Sequence, residues 1–216
     1  MILTGNEILK EMLQTDITIE PFNKTHLNPN SYNYRISDYI AIPKYNHHTH
    51  KMFYETIVIP AEGFILDPET TYLSHTYETL GSEIYAMSLI GRSSLGRLGL
   101  FLEVSADLGH TKSCHKWTLE IVATLPIKLY SGMVIGQVSF WKNFGSIEKY
   151  NGQYGFLNYP QESFVLQRQF ARDQKTYAPC GRVRSPRRQS LARSGRPPEC
   201  RRCCVPPARG THSPSP

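Results

Sequence analysis

The chain has 216 residues, of which 40% are hydrophobic and 11% aromatic, enough for a packed core in one domain or one domain with a tail. No apolar run approaches the ~18 residues of a membrane span, and MILTGNEILKEML lacks the basic-then-apolar order of a secretory leader; a cytoplasmic protein with no membrane partner is expected. The net charge of +6 is no nucleic-acid signature, because residues 171–216 carry +9 and leave −3 for the first 170.

In chain order, Thr4-Gly5-Asn6-Glu7 is a capping box, followed by Ile8, Leu9, Met12 and Leu13 at helical spacing. One short N-terminal helix is predicted. Beyond it the helical period is lost. Short β-rich runs follow at 55–59, 63–66, 71–74, 84–90, 99–104, 117–123, 127–130 and 134–140, separated by Pro, Gly, Asn and Ser. They predict a mainly β sandwich or barrel of mostly antiparallel strands. Without βαβ alternation, a doubly wound nucleotide-binding fold is not expected.

Residues 171–216 read differently. They hold 8 of the 15 prolines and 4 of the 5 cysteines and show no hydrophobic period. A disordered basic Pro/Arg/Cys-rich tail is expected, with no specific nucleic-acid partner. Cys200-x-x-Cys203-Cys204 invites a zinc site, but Cys180 and His212 do not complete the paired spacing such a site uses. The abrupt change is also what a read-through or out-of-frame extension would produce. The body holds one cysteine, Cys114, so it has no disulfide framework.

Four segments carry candidate chemistry. In Gly91-Arg92-Ser93-Ser94-Leu95-Gly96-Arg97-Leu98-Gly99, two arginines flank two serines among glycines. Hydroxyls, free amides and guanidinium groups bind phosphate oxygens, so this is a phosphate-binding turn between strands or else a solvated polar loop. In Trp117–Ala123, alternation puts Leu119, Ile121 and Ala123 on one face and Thr118, Glu120 and Val122 on the other. Glu120 is a paired or acid–base carboxylate, or a solvent-facing one. Gln137 stands in the last strand as a buried-looking amide. Lys149-Tyr150-Asn151-Gly152-Gln153-Tyr154-Gly155 is a lid or a plain turn. His47, His48 and His50 are either metal ligands or an exposed loop, and the reading here is the loop, since no acid or cysteine is near in sequence.

In this order, the segments resemble the deoxycytidine triphosphate deaminase family of the trimeric dUTPase-like superfamily. The resemblance runs from MILTGNEI through NPNSYNYRIS, IPAEGFIL, GRSSLGRLGL, WTLEI and GMVIGQVSF to KYNGQYG. It implies a dUTPase-like distorted β-barrel over residues 1–170 and a homotrimer whose sites are built by more than one subunit. It also implies zinc-free conversion of dCTP to dUTP and ammonia, with Mg²⁺ carried on the triphosphate. Glu120 matches the catalytic glutamate. Ser93, Arg97 and the carbonyl of Ala106 match the groups that hold the attacking water. Arg92, Ser94, Leu95 and Gly96 match nucleotide contacts, as do His110, Thr118, Leu119, Gln137, Lys149 and Gln153.

A water attacking C4 of cytosine needs a base, and the same carboxyl can return the proton to the leaving amine if burial tunes it. The family pattern has an aspartate where His110 stands. That departure weighs against a second, pyrophosphate-releasing step, so dUTP is the expected product. The alternatives are a dUTPase-like pyrophosphohydrolase, a deaminase of another cytosine nucleotide, and a nucleotide-binding protein without activity.

Overall fold

The computed structural model describes residues 1–164, Val104 and Phe156 excepted. The segment read as a tail, 171–216, lies outside the described residues. Helix α1 (Gly5–Leu13) starts where the capping box places it, the Thr4 hydroxyl accepting from the Glu7 amide at 3.4 Å. The helix buries Ile8, while Leu13, read as part of its apolar stripe, projects into solvent from the last turn.

Among the described residues fourteen strands follow. They are β1 (Ile17–Glu20), β2 (Tyr32–Arg35), β3 (Tyr39–Asn46), β4 (Lys51–Val58), β5 (Phe64–Leu66), β6 (Thr71–His75), β7 (Thr79–Ser82) and β8 (Tyr85–Gly91). After a one-turn helix α2 (Ser93–Gly96) come β9 (Leu100–Leu102), β10 (Leu108–Gly109), β11 (Ser113–His115), β12 (Thr118–Ala123), β13 (Ile127–Leu129) and β14 (Val134–Lys142). All pairings between these strands are antiparallel. The sheets run β4-β3-β6-β12-β9, β10-β8-β14-β2, β1-β7-β11 and β13-β5. The expected mainly β fold with one short N-terminal helix is what the chain forms. No helix among the described residues is long and apolar enough to cross a membrane.

The core forms from alternating inward residues. Met87 and Leu89 of β8, Val138 and Phe140 of β14, and Leu119, Ile121 and Ala123 of β12 are all buried, each large side chain contributing about 1.5–3 kcal/mol. In β2, Tyr32 and Tyr34 are fully buried. Their hydroxyls are satisfied, Tyr32 accepting from the Asn23 amide at 3.1 Å and Tyr34 donating to the Ile90 carbonyl at 3.1 Å. Gly136 sits at a register shift in β14, where a Cβ would overlap the Tyr34 ring, so a side chain there is excluded.

Among the described residues one ion pair is internal. Glu78 is fully buried and accepts from Arg35 Nε at 2.7 Å, with the guanidinium stacked 4.2 Å from the Tyr77 ring centre. Arg35→Leu leaves that carboxylate uncompensated, and a loss of about 3–5 kcal/mol is expected. Urea denaturation of the variant beside the parent protein measures it; a loss under ~1 kcal/mol would show that Glu78 does not depend on Arg35.

Candidate active site

A cavity of about 610 Å³ opens over the outer face of β12. The alternation read from the sequence holds: Leu119, Ile121 and Ala123 point into the core, and Glu120 faces out to line the cavity. Ala106 and His110 line it too, on the chain between β9 and β11, together with Thr118. Four of the expected site residues are thus brought to one place. Leu119 is buried in the core and does not line the cavity.

The other wall is the segment after β14. Tyr150, Tyr154 and Leu157 close over the cavity, and the segment is tied to residues 115–118 by hydrogen bonds. Asn158 accepts from the Lys116 amide at 3.0 Å, the Leu157 carbonyl meets His115 Nδ1 at 3.1 Å, and the Thr118 hydroxyl accepts from the Gln161 amide at 3.4 Å. The segment expected to act as a lid therefore borders the cavity, but through its tyrosines. Lys149 lines an adjoining cavity of about 420 Å³, and Gln153 lines neither. His110 stands between the two cavities, its ring stacked on Tyr150 with centroids 4.6 Å apart.

The serine–arginine motif is elsewhere. It forms the α2 turn rather than an open loop, with the amides of Leu95 and Gly96 bonded to the Arg92 carbonyl. Ser93, Ser94 and Arg97 are exposed and Leu95 is packed into the core. Gln137 lies beside this turn, donating to the Gly91 carbonyl at 3.5 Å and accepting from Ser31 at 2.9 Å. Register explains the separation. Leu100 pairs with Ala123, whereas the chain reaches Glu120 only at Glu103, three residues or roughly 10 Å further along the strand. None of Arg92, Ser93, Arg97 and Gln137 lines the Glu120 cavity of the same chain.

Sequence reasoning missed Glu103, Tyr54, His115 and Trp117, all at the cavity wall. His115 stacks on Trp117 at 4.2 Å. Its Nδ1 faces the carbonyls of Lys116 and Leu157 at 2.9 and 3.1 Å, which makes that nitrogen the N–H of the neutral ring, and burial lowers its basicity. Glu103 takes the burial expected of Glu120. Removal from solvent pushes its carboxyl up to about 8, opposed by a hydrogen bond from the Glu120 amide and aided by the charges of Glu120 and Asp107. His47, His48 and His50 lie in the exposed turn between β3 and β4, as expected. Among the described residues no three His, Cys, Asp or Glu side chains converge to hold a metal.

Residues 2–143 match the family described as dCTP deaminase-like. The chain belongs to that family. It is 41% identical over 157 residues to the dCTP deaminase, dUMP-forming, of Clostridium acetobutylicum and to that of Cytophaga hutchinsonii, in each case 71% of this chain and 90% of the relative. The protein of the same description from Hathewaya histolytica is 42% identical over 159 residues, covering 71% of this chain and 91% of that one. Among solved structures, 2'-deoxycytidine 5'-triphosphate deaminase from Agrobacterium tumefaciens superposes with a TM-score of 0.53 at 18% identity, over 64% of this chain and 46% of that chain, which shows a shared fold. The relatives' descriptions name dUMP as the product, where dUTP was the expectation above.

Proposed function

We propose that this enzyme of the dCTP deaminase-like family converts dCTP and two waters into dUMP, ammonia and pyrophosphate. The observation that carries the proposal is 41% identity across 90% of a relative described as forming dUMP. One water adds to C4 of the cytosine and the C4–N4 bond breaks. The other cleaves the bond between the α- and β-phosphates. Glu120 is the base: it faces the cavity that Ala106 also lines, takes the proton of the first water and returns it to the departing amine. Mg²⁺ enters on the triphosphate, and the chemistry at C4 uses no zinc.

A single chain has the base at the cavity and the serine–arginine turn away from it. This supports a homotrimer in which Ser93 and Arg97 of a neighbouring copy complete each site, with Gln137 at the base of the same turn. Arg97 would then balance the charge of Glu120 and the nucleotide phosphates. The test is ammonia release from dCTP with Mg²⁺ before and after treatment with a zinc-selective chelator. The same rate in both is expected. No ammonia from dCTP would sink the reading, and loss of activity restored by zinc would sink its metal-free step.

A further inference from the structure

Glu103 lines the cavity beside Glu120, and the proposed reaction has no use for it. The chain leaves β9 at this residue in a left-handed conformation, φ 49°, which a side chain other than glycine seldom adopts. Such a residue persists where surrounding contacts hold it, and these concentrate at functional sites. Two contacts hold this one, both to the same residue. The Glu103 amide donates to the Glu120 carbonyl at 3.3 Å, and Glu103 Oε1 accepts from the Glu120 amide at 2.9 Å. The backbone turn thus sends the carboxyl back across β12 to close a ring around the peptide groups of Glu120.

We propose that Glu103 is a positioning residue for Glu120, its carboxyl clamping the Glu120 amide and so fixing where the Glu120 carboxylate stands in the cavity. The clamp works as a neutral acid. Among the described residues no lysine or arginine pairs with Glu103. The titratable groups around it are Glu120 on β12, Asp107 in the following loop, Tyr34 on β2, Tyr54 on β4, and His110 and His115 at the cavity wall. If Arg97 of a neighbouring copy joins the site, it balances one carboxylate, and the pair keeps one proton. Burial assigns that proton to Glu103 up to about pH 8. Above that pH a second negative charge appears next to the base and the triphosphate, and activity falls as pH rises.

The kinetic part of this inference rests on the proposed deamination, so the test includes a readout that does not. In ¹⁵N-labelled protein, the Glu120 amide shift should titrate near pH 8 and stop doing so in Glu103→Gln. In dCTP assays, Glu103→Gln keeps an acceptor oxygen and no charge. It should retain at least half the activity at pH 7 and lose the decline above pH 8. Glu103→Leu lacks the acceptor, and kcat should fall about tenfold with KM little changed. A Glu120 amide that does not respond near pH 8, a Glu103→Gln profile that keeps the alkaline decline or loses tenfold at pH 7, or a Glu103→Leu enzyme with parental kcat would each overturn the assignment. If the parent protein releases no ammonia from dCTP, the proposed function fails, and the amide titration still decides the role of Glu103.

Discussion

Glu120→Gln is expected to lower ammonia release from dCTP by at least ~10²-fold, the contribution of a positioned general base. The residue stands on the outer face of β12 with its neighbours Leu119 and Ile121 fully buried, so the strand that carries it does not depend on the carboxyl. Glutamine keeps the volume and hydrogen-bonding length but cannot take a proton at neutral pH. Nucleotide affinity, measured by calorimetry, should therefore change little while kcat collapses. Parental turnover in the variant would remove Glu120 from the mechanism, and equal losses in affinity and kcat would make it a binding residue only.

The second large effect concerns Arg97. It is exposed on the α2 side, and the cavity around Glu120 is without it. If neighbouring copies share each site, Arg97→Ala and Glu120→Gln are both inactive alone for different reasons. Mixed subunits then complement. With random exchange of equal amounts, a site draws an intact Glu120 from one copy and an intact Arg97 from the next in about a quarter of cases. Recovery of about a quarter of parental activity after co-refolding is expected. Activity no higher than that of the two variants measured apart would place the whole site within one chain.

The parts of this fold that were legible in sequence are those where pattern and burial coincide. Thr4 caps α1 as its position indicates, and β12 alternates as its residues do. β1, β2, β3, β7, β10 and β11 fall outside the predicted runs. In β2 the buried positions are tyrosines, Tyr32 and Tyr34, whose polar ends find partners only through tertiary contacts with Asn23 and Ile90. β3 contains Pro43, a residue that argues against a strand. It is tolerated because beyond Ala41, which pairs with Leu73, the strand is bonded on the β4 side only.

The site divides in the same way. Glu120, Ala106 and His110, singled out through the family resemblance, line one cavity, and of the three only Glu120 sits on a strand whose alternation the pattern fixes. Glu103 was invisible because the run 99–104 reads as continuous strand. β9 in fact stops at Leu102, and a single left-handed residue turns the carboxyl inward. Nor does sequence show the strand register that separates the serine–arginine turn from the base, Leu100 pairing with Ala123 and the chain reaching Glu120 only at Glu103.

The most direct test of the account is the product balance from dCTP. Nucleotides separated by anion-exchange chromatography through a full time course, with ammonia and pyrophosphate measured in the same samples, report both bond cleavages together. Ammonia, pyrophosphate and dUMP rising in equal amounts, with no build-up of dUTP, is the expected result. Ammonia accompanied by stoichiometric dUTP and no pyrophosphate would contradict it.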